Sequence, residues 1–216
     1  MVEGYVTPDT PARMAAPYTP GSMTTSIPRR VLRFGAGAAL FGVSWAEAQA
    51  ATIPPYEERV FRWANGADDR LQVPVRAIMQ AGTFGTVPAV AAVAYLAGRR
   101  RLALTVLAAG TAAWYAAKAA KPMGGRARPL GVLGEDVTLR EGIQGDLGWV
   151  SGHTCVATTT AFVLAEEFPG WQPWLAAIVA TTGFGRMYVG AHLPHDLVGG
   201  AGLGMMISAV TPGPRP

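Results

Sequence analysis

Residues 102–121 read LALTVLAAGTAAWYAAKAAK, twenty residues with no charge before Lys118. A bilayer core takes about 20 predominantly apolar residues per helix, so this stretch puts a membrane-embedded fold ahead of a soluble one. Four further apolar stretches, roughly 74–97, 153–168, 173–191 and 196–211, share its character, and a weaker one spans 34–53. The run at 153–168 is short for a span, but faces rich in Gly, Ala and Thr suit close packing in lipid, where small residues let backbones approach. These stretches predict an all-α fold: a polytopic membrane helix bundle of about six transmembrane helices, or about five in the core if the first is a cleaved signal, plus an interfacial helix.

Composition agrees. Half of the 216 residues are hydrophobic and only 15% are charged, which is low for a soluble protein. Cys155 is the single cysteine, so no intrachain disulfide forms and helix packing must hold the fold. The net charge of +4 comes from 16 Arg and 2 Lys against 14 acids. These cations stand in short clusters beside apolar runs rather than in one stripe, which argues against nucleic-acid binding and matches charge placement around membrane spans.

Along the chain, residues 1–28 hold Pro8, Pro11, Pro17, Pro20 and Pro28 without an apolar period and read as a disordered tail. Residues 29–53 have two readings. Arg29, Arg30 and Arg33 ahead of a Gly-Ala-rich run ending in Ala48-Gln49-Ala50 resemble a twin-arginine export signal; the other reading, favoured because such signals serve soluble cargo, is a first membrane span. Residues 54–212 form the membrane domain. Within it, Pro54-Pro55 breaks the helix and residues 56–72 mix Tyr56, Phe61 and Trp63 with charges, the make-up of a helix lying in the interface, its aromatics at headgroup depth. With six spans, the Arg29–Arg33 cluster, the Arg99–Arg101 turn and Arg215 share one side, which the positive-inside rule makes cytoplasmic. Residues 122–152 and the turn at 192–195 then face outward, at the extracytoplasmic face of the cell membrane.

Three blocks mark that outward side: Lys121-x6-Arg128-Pro129, Ser151-Gly152-His153 and Arg186-x5-His192-x3-Asp196. Cations at the mouths of apolar helices are costly unless they meet anions or water, so Lys121, Arg128 and Arg186 predict an anion site. A phosphoryl group has oxygens for all three, and the guanidinium fork suits it. Ser151 and Gly152 open a helix whose free N–H groups favour an anion, and Ser151 also reads as an ordinary N-cap. If a helix starts by Leu193, the Asp196 carboxylate reaches back to one ring nitrogen of His192 and leaves the other as nucleophile. His153 is then placed to protonate the leaving oxygen.

This ordered set resembles the type-2 phosphatidic acid phosphatase family, whose pattern runs Lys-x6-Arg-Pro, Pro-Ser-Gly-His and Ser-Arg-x5-His-x3-Asp. The resemblance implies a metal-independent, cofactor-free membrane phosphatase acting on lipid phosphates such as phosphatidic acid or undecaprenyl pyrophosphate. It assigns His192 as nucleophile, Asp196 as its orienting partner and His153 as acid, with Lys121, Arg128, Ser151, Gly152 and Arg186 binding phosphate. The implied partners are the lipid phosphate and membrane lipids. A phosphotransferase passing the group to an alcohol would use the same residues, and a lipid-phosphate-binding protein without turnover would keep the anion site. Two positions depart from the pattern: Val150 replaces Pro, and Gly185 replaces a Ser whose hydroxyl would contact phosphate. Outside the three blocks, His195, Arg126 and the acids Glu135, Asp136, Glu141 and Asp146 read as solvated charges, Arg126 also as a contact for a second phosphate. Glu166 and Glu167 fall at the far end of the bundle.

Overall fold

The structure, a computed structural model, describes residues 23–142 and 145–214. Most of the expected tail, residues 1–22, and Arg215 lie outside the described residues. Among the described residues the fold is all-α with no β-sheet. Its helices are α1 (Met23–Ala48), α2 (Pro55–Asn65), α3 (Gln72–Met79), α4 (Thr86–Leu96), α5 (Arg100–Gly124), α6 (Pro129–Leu133), α7 (Gly152–Glu167), α8 (Gln172–Tyr188) and α9 (Pro194–Val210). A lone antiparallel bridge joins Ala127 to Leu147.

Local chemistry sets several of these ends. Pro55 and Pro194 sit in the first turns of α2 and α9, where a missing N–H costs nothing. Pro122 falls in the last turn of α5, and Gly125 closes that helix in the left-handed region at φ +61°. The stretch at 74–97, read above as one helix, is broken. A turn at Gln80–Gly82 separates α3 from α4, and the pieces are bent by 70°. Thr83 and Thr86 hydroxyls both donate to the Gln80 carbonyl, at 2.8 and 2.5 Å, replacing helix hydrogen bonds there. Gly82 is needed at the break because a Cβ would stand 2.5 Å from the His153 carbonyl oxygen of α7.

By length and composition, α5 is the one described helix able to cross a bilayer alone, and the bent pair α3–α4 could make a second. The other helices are shorter or more polar than the sequence-based expectation of about six continuous spans required. Large apolar side chains nevertheless point outward around the bundle, among them Leu32, Val73, Leu96, Leu104 and Trp174. The interior is filled by small residues: Ala109, Ala113 and Ala117 of α5 pack with Val87 of α4 and Val156 of α7. α1 lies along α9, with Gly37 and Gly202 each so close to the other's carbonyl that an added Cβ would stand at 2.6 Å.

The bundle has two chemically distinct ends. At one, Arg30 and Arg33 of α1 reach Glu166 of α7 at 2.5 and 2.8 Å, and Arg99 pairs with Glu167. At the other, the end of α5 and the starts of α7 and α9 meet the α8–α9 junction.

Candidate active site

Backbone contacts draw the three motif blocks together at that second end. The Ser151 N–H donates to the Asp196 carbonyl at 2.9 Å, tying the start of α7 to the first turn of α9. Lys121, one turn from the end of α5, donates to the carbonyls of Leu147, Gly148 and Val150 at 3.1, 3.3 and 3.2 Å. The ammonium thereby orders the loop leading into α7, where the Val150 side chain is fully buried. Arg128 donates to Gly145 at 2.7 Å and to Ala191, next to His192, at 2.9 Å. Arg186, in the last turn of α8, accepts from His192 N–H at 3.2 Å through its own carbonyl.

His192 and Asp196 are 3% and 0% exposed, so both groups are removed from bulk water. His192 Nδ1 lies 3.4 Å from Asp196 Oδ2, in ion-pair range and not aligned as a hydrogen bond. Asp196 occupies the third position of α9, where Oδ2 also accepts the Leu193 N–H at 2.9 Å. That contact fixes the carboxylate beside the ring. Burial, then the charges of Arg186, Lys121 and Arg128, hold the His192 ring well below its usual proton affinity, opposed by the Gly148 backbone. The ring is neutral near pH 7, as a nitrogen nucleophile must be. Arg128 is likewise shifted down by burial and by Arg186. His153 stands within electrostatic range of Arg186, His192, Arg128 and Lys121.

All eight sequence-predicted residues therefore gather at one end of the bundle. Ser151 caps α7, its Oγ accepting from Thr154 N–H at 3.3 Å. A Cβ on Gly152 would meet only Ala117, at 3.8 Å, so protein packing does not demand the glycine. Gly185 faces α3: a Cβ there would come within 3.1 Å of Val75 and 3.2 Å of Met79 Sδ. A side chain at 185 would therefore press on α3, which the glycine avoids.

Three residues read as solvated are not. Arg126 is 8% exposed and forms a two-pronged pair with Glu57 of α2, with its Nη1 also 3.7 Å from Asp196 Oδ1. His195 Nδ1 lies 3.3 Å from Glu57 Oε2, and its Nε2 lies 3.3 Å from the Tyr56 hydroxyl. Glu141 pairs with Arg186. For Arg126 and His195 the reason is α2, which docks on the bundle with Glu57, Phe61, Ala64 and Asn65 buried. Phe61 is thus inside the protein, while Trp63 stays 70% exposed. The helical spacing of 57, 61, 64 and 65 was the available signal for a buried acid. Lys118 is exposed over the Trp114 ring, outside the site. Among the described residues no three His, Cys, Asp or Glu side chains cluster to hold a metal.

An all-helical fold thus gathers a buried network of His, Asp, Glu and Arg beside Lys121, Arg128 and Arg186 at one end of its bundle. The chain belongs to the PAP2 superfamily, whose family model matches residues 101–213. It is 35% identical over 65 residues to an undecaprenyl-diphosphatase of Sulfolobus acidocaldarius, a match covering 29% of this chain and 31% of that protein. Its fold resembles the crystal structure of Aquifex aeolicus LpxE, with TM-score 0.60 and 24% identity over 69% of this chain and 90% of that one. It also resembles the transmembrane PAP2 type phosphatidylglycerolphosphate phosphatase of Bacillus subtilis, with TM-score 0.67 and 19% identity over 82% of this chain and 92% of that one.

Proposed function

We propose that the protein is a multi-pass membrane phosphatase that hydrolyses a lipid-linked phosphate or diphosphate through a phosphohistidine on His192, without a metal. The observation that carries this reading is the buried His192 held 3.4 Å from Asp196 and within electrostatic range of Lys121, Arg128 and Arg186. In the first step the free ring nitrogen of His192 attacks phosphorus and the bond to the leaving oxygen breaks. That oxygen takes a proton from His153. In the second step water attacks the phosphohistidine, the P–N bond breaks, and the neutral His153 accepts the proton that water loses. The cations balance charge throughout.

The outward-facing apolar side chains support a lipid setting, and a site at the helix ends lets a tailed substrate enter from the bilayer. The relative's name favours a polyprenyl diphosphate among the candidates; phosphatidic acid-type lipids would use the same groups. Residues 29–53 are proposed as a retained part of the bundle and not a cleaved signal, since α1 is packed on α9 and its arginines pair with Glu166. The positive-inside rule puts that arginine-rich end in the cytoplasm and the site at the opposite face. The test is protein purified in detergent, given polyprenyl diphosphate and phosphatidic acid with chelator present. Phosphate release from wild type and none from His192→Ala is expected; release that requires an added divalent ion would refute the mechanism.

A further inference from the structure

Arg186 is already engaged. Its Nη1 donates to Glu141 Oε1 and touches Met79 Sδ at 3.5 Å, while its Nε is buried without a partner among the described residues. One arm of the fork is filled by a carboxylate from the chain itself, and the buried Nε keeps an unused donor among the described residues.

Glu141 is not delivered by a loose loop. Its neighbour Arg140 donates through Nη1 to the carbonyls of Asn65 and Tyr188 at 2.6 and 2.7 Å and through Nη2 to Ala67 at 3.1 Å. The guanidinium also binds Asp69 and lies 4.1 Å above the Tyr188 ring. Asn65 brackets Thr138, accepting its N–H and donating to its carbonyl, both at 2.9 Å. The segment 138–140 is thus strapped into the groove between α2 and α8, which sets Glu141 down on Arg186. The Glu141 side chain is 17% exposed, so it can swing toward solvent without opening the core.

We propose that Glu141 is a specificity-determining residue: its carboxylate holds the anion position on Arg186 until a dianionic phosphomonoester or diphosphate end displaces it, and it excludes the monoanionic phosphodiesters of the surrounding membrane. This rests on the phosphatase reading above. A phosphodiester offers Arg186 the single charge that Glu141 already provides, so exchange gains nothing and still costs desolvation. A monoester dianion offers a further charge, which Lys121 and Arg128 can share with Arg186. Selectivity arises from competition within the pocket, in a membrane where diesters are the abundant phosphates.

The experiment compares wild type, Glu141→Asp and Glu141→Gln in mixed micelles, with hydrolysis of a lipid monophosphate competed by phosphatidylglycerol. Inhibition by phosphatidylglycerol should tighten about tenfold in Glu141→Gln, with Glu141→Asp intermediate, as expected for removing one charged competitor. A purely structural role would lower kcat or the melting temperature and leave the ratio of diester to monoester affinity unchanged, which would overturn the proposal. Calorimetry with inorganic phosphate and with dimethyl phosphate gives a second readout that needs no turnover. Dimethyl phosphate binding should appear or strengthen in Glu141→Gln, and equal preference in all three proteins also overturns it. If wild type hydrolyses nothing yet the binding order holds, the phosphatase reading fails and the Glu141 inference stands.

Discussion

Arg126 and Glu57 meet as a two-pronged ion pair, Nη1 to Oε1 at 3.0 Å and Nη2 to Oε2 at 2.5 Å, in a place where their side chains are 6% and 0% exposed. The pair joins the loop after α5 to α2 and sets the Arg126 guanidinium beside Asp196. Glu57 also accepts the His195 N–H at 2.9 Å, so one carboxylate fixes both α2 and the first turn of α9. Removing either partner leaves a buried charge without its counterpart. Arg126→Ala and Glu57→Ala should each cost about 3–5 kcal/mol, and the double Glu57→Gln, Arg126→Met should recover part of that loss. Unfolding in detergent measures it; single variants within about 0.5 kcal/mol of wild type would show that the pair holds nothing in place.

The His192–Asp196 geometry predicts a kinetic split. Asp196 touches the ring and not the expected position of the phosphate, so Asp196→Asn should lower kcat by about 10²–10⁴ with KM little changed. Arg128→Lys, which loses the fork but keeps the charge, should instead raise KM by about fivefold or more. Steady-state kinetics on one lipid phosphate separate the two; an Asp196→Asn effect confined to KM would contradict its orienting role.

Acid should weaken the fold through His192. In the unfolded chain this imidazole takes a proton near its usual 6.5, whereas in the folded protein burial and three cations hold it well below that value. The unfolded state therefore binds more protons between the two values. The His192 contribution to stability is undiminished above about pH 6.5 and declines as pH falls below it. The melting temperature of wild type should drop from about pH 7.5 to about pH 5.5 by more than that of His192→Asn, and parallel slopes would remove His192 as the cause.

Packing of α1 on α9 makes a further contrast. A side chain at Gly37 would collide with the Gly202 carbonyl, whereas one at Gly35 has no neighbour within 4 Å. Gly37→Leu should destabilise by about 1–3 kcal/mol or detach α1, while Gly35→Leu should be neutral or slightly stabilising. Thermal unfolding of the two variants side by side is the check, and equal melting temperatures would mean that α1 does not pack there.

What the sequence determined by itself was the helical class and the three blocks of residues that gather at one end of the bundle. Apolar stretches of near-span length announce helices, and His192-x3-Asp196 is local enough for the first turn of α9 to position it, whereas Lys121-x6-Arg128 runs past the end of α5 into a loop. The break between α3 and α4 was less legible, because hydropathy averages across Gln80–Gly85 and does not register hydroxyls that cap a bend. Tertiary structure alone decided the partners of charge. Glu57, Arg126 and Glu141 look like solvated residues in a one-dimensional reading, and only the docking of α2 and of the strapped segment 138–140 brings them to cations and carboxylates from distant parts of the chain. The physical reason is that burial is a property of packed surfaces: whether a charge meets water or a counter-ion depends on which helix covers it.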